Sequence, residues 1–265
     1  MLPTGKCALV TGASSGIGAE VAAQLASRGA YVLVHGRDPD RTREVADRIG
    51  GAAVAADLAD PGGRQQLVEQ VREVCGAVDI LVNNAGVGWA GPLTDMPVER
   101  IRHIVEVNLL APMELTRMLL PDMIRRVQTH ICFVTSVAGR TGVAGEAAYA
   151  ATKAGVDAFA ESLRAEAAGT GLRVGVVVPG VVDTAFFAAR GRPYDRERPR
   201  PIPADAVARA VVRQIETGRA EAWAPRWLRV APTVRALAPS AYRRLTDRFG
   251  QSIRLGDAEA RKVPP

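Results

Sequence analysis

The chain has 265 residues, 48% of them hydrophobic and only 5% aromatic, with three cysteines and a formal net charge of +6. Length and apolar content suit one α/β domain with an ample core. No uninterrupted apolar run approaches the roughly 18 residues that span a bilayer, the cysteines lack metal-ligand spacing, and the basic residues form no recognisable nucleic-acid module.

The amino terminus, Met1 to Lys6, runs straight into a first strand and leaves no room for a signal peptide, which points to a cytoplasmic protein. Cys7-Ala8-Leu9-Val10 is an apolar run suited to a buried parallel strand. Thr11-Gly12-Ala13-Ser14-Ser15-Gly16-Ile17-Gly18 follows, and Ala19 to Ala26 reads as a helix. Strand, glycine turn and helix together make a nucleotide-binding loop credible. The glycines permit a tight turn, and the helix start offers unpaired N–H groups to a pyrophosphate.

Further strand-like runs lie at 31–34, 52–55, 80–82, 130–135 and 174–178, separated by helical stretches rich in Ala, Arg and Glu. This alternation predicts a doubly wound, Rossmann-type parallel sheet. Cys7, Cys75 and Cys132 are odd in number and two lie in strands, so all three are expected to be buried free thiols. His35, His103 and His130 are scattered and match no catalytic or metal pattern; no metal site is expected.

Ser136 stands at the end of the fifth run, and Tyr149 and Lys153 follow at i and i+4 spacing. That spacing places a phenol and an ammonium on one helix face. A nearby cation favours the phenolate, so the tyrosine could act as acid or base near neutral pH. Only three lysines (Lys6, Lys153, Lys262) occur among 34 basic residues, so lysine is not the default cation here.

With these motifs in hand, the chain closely resembles the short-chain dehydrogenase/reductase family in its standard, uninserted form, over roughly residues 5 to 185. Thr11 to Gly18 matches the family's T-G-x-x-x-G-x-G, and the resemblance assigns Gly12, Ser14, Ser15, Gly16, Ile17 and Gly18 to the cofactor. Asp57-Leu58 matches the acidic residue that the family places against adenine, and Asn84-Ala85-Gly86, preceded by Asn83, the N-N-A-G that ends the fourth strand. Pro179-Gly180, with Val182 and Thr184, matches the P-G-x-x-x-T over nicotinamide. Asn108, Ser136, Tyr149 and Lys153 fall at the places of the catalytic tetrad.

The resemblance implies an oxidoreductase that interconverts a carbonyl and an alcohol, assembled as a homodimer or homotetramer. Ser136 would stabilise charge on the substrate oxygen, Tyr149 would supply its proton, and Asn108 would anchor a water in the relay. Lys153 would lower the Tyr149 pKa and, with Tyr149, hold the cofactor ribose. At the end of the second strand the aligned place is Gly36, followed by Arg37 and Asp38. An acid there would suit NAD(H), whereas an arginine suits the 2′-phosphate of NADP(H). NADP(H) is therefore preferred, with NAD(H) possible if Asp38 swings in. A non-catalytic NADP(H)-binding sensor or scaffold is the alternative, but such proteins typically lack the tyrosine or lysine.

Charge changes sign along the chain: residues 1–189 carry −3 and residues 190–265 carry +9. The segment from about 185 to 203 is rich in proline and arginine and reads as an irregular substrate lid carrying Phe186, Phe187 and Tyr194. A helix over 205–217 and a last strand at 221–223 complete a domain of residues 1–223. Residues 224–265 form a basic amphipathic extension in which Trp227, Leu228, Val230, Val234, Leu237, Tyr242, Leu245 and Phe249 interleave with arginines. Packing over the cleft or against another subunit is favoured for it over an anionic membrane surface. With the lid, it points to a bulky, largely apolar substrate.

Overall fold

The computed structural model describes residues 1–194 and 199–249, with side chains to residue 244. The middle of the expected lid, the side chains of Leu245 and Phe249, and the extension beyond Phe249 lie outside the described residues. In chain order the first half contains β1 (Cys7–Val10), α1 (Gly16–Ala26), β2 (Tyr31–Gly36), α2 (Pro39–Ile49), β3 (Ala52–Ala55), α3 (Pro61–Cys75) and β4 (Ile80–Asn83). The middle contains α4 (Val98–Val105), a π-helical turn at Glu106–Leu110, α5 (Ala111–Met123), β5 (Thr129–Val134), α6 (Val137–Thr141) and α7 (Ala147–Glu166). There follow β6 (Leu172–Pro179), β7 (Val182–Asp183), α8 (Phe186–Ala189), β8 (Ile202–Pro203), α9 (Ala204–Thr217) and β9 (Glu221–Ala224). The chain then runs through α10 (Val230–Leu237) and α11 (Pro239–Phe249).

Seven strands form one parallel sheet in the order β3-β2-β1-β4-β5-β6-β9. Strand residues alternate between two cores, as a period of two requires. Ala8, Val10, Ile80 and Val82 face one side with Val21 and Leu25 of α1 and Val211 and Ile215 of α9. Leu9, Leu81, Ile131 and Phe133 face the other with Leu67, Leu115 and Val156 from α3, α5 and α7. Burial on both faces explains why the strands read as unbroken apolar runs. Strand order reverses between β1 and β4, so the loops after these two strands diverge and leave a crevice for a ligand.

Two expectations change. Cys7 and Cys75 are not free thiols: a disulfide joins the start of β1 to the end of α3, with Cα atoms 6.5 Å apart. β4, which follows α3, pairs with β1 and so brings the two cysteines together, a proximity that spacing in sequence does not reveal. Cys132 is the buried free thiol, and burial pushes its pKa well above the ordinary thiol range. The lid, expected to be irregular, is ordered at both ends. Phe186–Ala189 is a helical turn, and β8 pairs in parallel with β7, Val182 opposite Ile202.

Candidate active site

The glycine loop is built by close approach rather than by its side chains. Gly12 and Gly16 have φ of 64° and 55°, in the left-handed region that favours glycine. A Cβ on Gly12 would lie 2.8 Å from Ala85 Cα, and one on Gly18 would lie 2.3 Å from Gly12 O. Asn84 locks this junction: its Nδ2 donates to Thr11 O at 2.9 Å, and Thr11 Oγ1 accepts from Asn84 N and Ala85 N. Ser15 stands at the N-cap of α1 without a capping bond, and the first turn carries no acidic residue, so the positive helix end is left for an anion. Thr184 reaches the loop from the far side, its Cγ2 3.2 Å from where a Gly16 Cβ would sit. Beyond Pro179, Val182 is buried in β7, which anchors the chain carrying Thr184.

His35 braces the same loop from β2. Its Nδ1 accepts from Gly12 N at 3.2 Å, so Nε2 carries the proton it gives Ala56 O at 3.2 Å. Burial lowers its pKa to about 4, which keeps the ring neutral and the acceptor available. Next to it, Ser14 and Thr42 fill the space over Gly36: a Cβ there would meet Thr42 Oγ1 at 2.3 Å and Ser14 Cβ at 2.8 Å. Arg37 is exposed at the strand end. Asp38 is engaged as the N-cap of α2, accepting from Asp40 N and Arg41 N at 3.1 Å each.

At the other end of the crevice Asp57 is exposed, its carboxylate accepting from Ala59 N at 2.9 Å. Leu58 is tied inward by the fully buried Arg64, whose guanidinium donates to Leu58 O at 2.6 Å, Glu114 at 2.7 Å and Glu106 at 3.0 Å. Glu106 opens the π turn that carries Asn108, so Arg64 joins the Asp57-Leu58 loop to that turn. Inserted π turns are frequent at functional sites. Asn108 clamps the Val87 backbone in both directions: Oδ1 accepts from Val87 N and Nδ2 donates to Val87 O, each at 2.8 Å.

Ser136, Tyr149 and Lys153 converge where β5 ends and α7 begins. Ser136 caps α6, its Oγ accepting from Ala138 N at 3.1 Å, and its hydroxyl lowers the Tyr149 pKa. Lys153 is buried, donates to Val134 O at 2.9 Å, and lies 3.5 Å from where a Gly86 Cβ would sit. A cavity of about 10 Å³, on the order of one water, lies among Thr11, Leu58, Asn83, Asn108 and Lys153. Asn83 Oδ1, which has no partner among the described residues, belongs to this group.

The electrostatics run opposite to the expected depression of the phenol by Lys153. Burial pushes the Tyr149 pKa up to about 12, against a Ser136 hydrogen bond that lowers it; Glu146 raises it and Arg190 lowers it. Burial brings Lys153 down to about 8. The ammonium is directed at Val134 O and sits 5.9 Å from the phenol ring centroid. The covering comes from the lid. Phe186 stacks 5.5 Å from Tyr149, Phe187 lies 5.7 Å from Phe186, and Tyr194 lies 5.3 Å from Phe187. Arg190, buried beneath, pairs with Glu146 at the start of α7 and lies 4.5 Å over Phe187.

A family profile for short chain dehydrogenases matches residues 6–195, which contain the glycine loop, Asn108, Ser136, Tyr149, Lys153 and the first part of the lid. The chain belongs to the short-chain dehydrogenase/reductase family. It is thereby an NAD(P)-dependent oxidoreductase. Among its relatives in this family, the ketoacyl reductase HetN of Nostoc sp. is 35% identical over 223 residues, covering 82% of this chain and 78% of HetN. The 3-oxoacyl-[acyl-carrier-protein] reductase FabG of Escherichia coli is 38% identical over 187 residues, or 70% of this chain and 77% of FabG. A short-chain dehydrogenase of Sphingobium yanoikuyae, solved in complex with NADPH, superposes with a TM-score of 0.79 at 29% identity, over 93% of this chain and 97% of that one. The 3-ketoacyl-(acyl-carrier-protein) reductase of Brucella melitensis, solved with NADH, gives 0.77 at 29% identity, over 84% and 96%.

Several contributors to this short-chain dehydrogenase/reductase site escape sequence reasoning. His35 and Arg64 belong to no motif, and their partners lie far off in the chain. The Arg190–Glu146 pair joins residues 44 apart. The only sequence signal for any of them is the crowding of charge around the lid.

The described part of the carboxyl-terminal extension touches the domain at few places. Leu228 packs inward, its Cδ1 2.5 Å from where a Gly180 Cβ would sit. Trp227, Val230, Val234 and Leu237 stay exposed.

Proposed function

We propose that this enzyme is an NADP(H)-dependent carbonyl reductase, or the same enzyme run as an alcohol dehydrogenase, acting on a bulky and largely apolar substrate. The observation that carries the reading is the meeting of Tyr149, whose pKa Ser136 lowers, with Lys153 beside Gly86, next to a glycine loop shaped for close backbone approach.

The chain's residues fit a dinucleotide. The α1 amino terminus is left uncapped for a pyrophosphate. Gly12, Ser14, Ser15, Gly16, Ile17 and Gly18 would hold it, with Asp57 and Leu58 towards adenine, Asn84, Ala85 and Gly86 along the crevice, and Pro179, Gly180, Val182 and Thr184 closing over it. Arg37 would read a 2′-phosphate. The crowding over Gly36 leaves no room for an acid there, and Asp38 is already engaged as a helix cap. When bound, the nicotinamide supplies hydride to the substrate carbon.

Tyr149 donates its proton to the substrate oxygen. At a pKa of about 12 it is protonated at neutral pH, the form needed in the reducing direction. Ser136 donates a hydrogen bond to the same oxygen as charge develops there. Lys153, protonated below about pH 8, would hold ribose hydroxyls and replace the proton lost from Tyr149. Asn108 fixes the Val87 loop, so its side chain is a positioning group. The aromatic ladder of Phe186, Phe187 and Tyr194 supplies the apolar wall that favours a bulky substrate. A homodimer or homotetramer belongs to the same proposal, supported by the exposed alanine face of α7 (Ala147, Ala151, Ala154, Ala158).

The test is NADPH oxidation across ketones and aldehydes of increasing apolar size. Turnover should favour the larger members, and Tyr149→Phe should lose about 10²–10⁴-fold in turnover with nearly unchanged cofactor affinity. Near-normal activity in Tyr149→Phe would overturn the assignment.

A further inference from the structure

Trp227, Val230, Val234 and Leu237 recur at steps of three and four and so share one helical face. They are 59%, 58%, 37% and 82% exposed, and α10 buries none of its residues. The helix is nevertheless held in place. Leu228 is seated against Gly180, and Arg235 Nη1 donates to Arg140 O at 2.6 Å on α6. The apolar stripe is thus presented outward on a fixed support.

Charge decides what can cover it. Between Ala222 and Thr246 there are five arginines and no Asp, Glu or Lys. Arg226, Arg229, Arg243 and Arg244 are exposed around the stripe. A second copy meeting this face about a two-fold axis would bring the same patch onto itself, mostly arginine against arginine, the nearest acids in sequence being Glu221 and Asp247. A partner of opposite charge that also takes up apolar side chains is required. An anionic bilayer surface offers both: phosphates for the guanidinium groups, and an acyl boundary for the tryptophan and aliphatic side chains.

We infer that residues 225–244 dock this enzyme onto anionic phospholipid membranes, lying in the interface without crossing it. The inference is independent of which substrate is reduced. Because Leu228 abuts Gly180, docking would turn the end of β6 towards the lipid.

The full chain should sediment with phosphatidylcholine vesicles only when they contain phosphatidylglycerol. It should be released as salt shortens the screening length from about 10 Å to about 3 Å. Arg226→Ser and Arg229→Ser should each weaken binding roughly fivefold. Trp227→Ser combined with Leu237→Ser should abolish it while leaving thermal unfolding and oligomer size unchanged. Four outcomes would overturn the inference: no sedimentation with anionic vesicles, equal sedimentation with neutral ones, binding indifferent to these substitutions, or a changed oligomer in Trp227→Ser/Leu237→Ser. The last would make the stripe a subunit interface.

Discussion

Gly36 is the position where an acid would convert the site to NAD(H) recognition, and the structure opposes that change for steric reasons. A Cβ there would stand 2.3 Å from Thr42 Oγ1, 2.8 Å from Ser14 Cβ and 2.9 Å from Ser14 Oγ. Thr42 is fully buried in the first turns of α2, and its hydroxyl donates to Asp38 O at 2.5 Å. It cannot yield without disturbing the helix start. Overpacking of this kind costs about 1–3 kcal/mol, and losing the Thr42 hydrogen bond adds about 1 kcal/mol. Gly36→Ala should therefore destabilise the protein by about 2–4 kcal/mol, a fall in Tm of roughly 5–15 °C at this chain length. Differential scanning fluorimetry without cofactor reads this directly. Thr42→Ala should relieve part of the penalty, because it removes the closest contact. Gly36→Asp should lose both cofactors rather than gain NADH. A Gly36→Ala protein that melted at the parent temperature, or a Gly36→Asp protein that bound NADH more tightly, would refute the reasoning.

Arg37→Ala should weaken NADPH by roughly 10- to 150-fold with little effect on NADH, since a charge-assisted bond to phosphate is worth about 1.5–3 kcal/mol. Fluorescence titration with both cofactors measures this, and equal losses would show that Arg37 does not read the phosphate. His35 and His130 should make folding acid-sensitive, because burial lowers each from 6.5 to about 4. Above pH 6.5 neither the folded nor the unfolded chain protonates them. As pH falls from 6.5 to 4 only the unfolded chain takes up the protons, so about 3 kcal/mol per histidine should be lost across that window. Urea unfolding at a series of pH values tests this, with His35→Leu removing one of the two contributions. A stability flat between pH 6.5 and 4 would refute it.

What the sequence discloses here follows from how local each signal is. Strands β1, β4 and β6 read clearly because both faces are buried, so their residues are almost uniformly apolar. The glycine loop reads clearly because its chemistry lies in eight consecutive residues. Tyr149 and Lys153 read clearly because one helical turn fixes their relation. Ser136 shows that two readings can hold together: it is a cap for Ala138 N and a partner of Tyr149.

The failures share a different cause, which is contact between distant segments or the cover that one segment gives another. The i and i+4 spacing says that Lys153 is near Tyr149. It does not say that Phe186 covers the phenol, or that Val134 O claims the ammonium. Burial of the phenol reverses the direction of the expected pKa shift. The Cys7–Cys75 bond and the Arg64 bridge to Glu106 and Glu114 join residues 42 to 68 positions apart. The extension shows the same limit in its plainest form. Periodicity identifies an apolar stripe at Trp227, Val230, Val234 and Leu237, but any amphipathic helix has such a stripe, whatever lies against it. Only the placement of Leu228 and Arg235 fixes which edge of the helix faces the protein and which faces away.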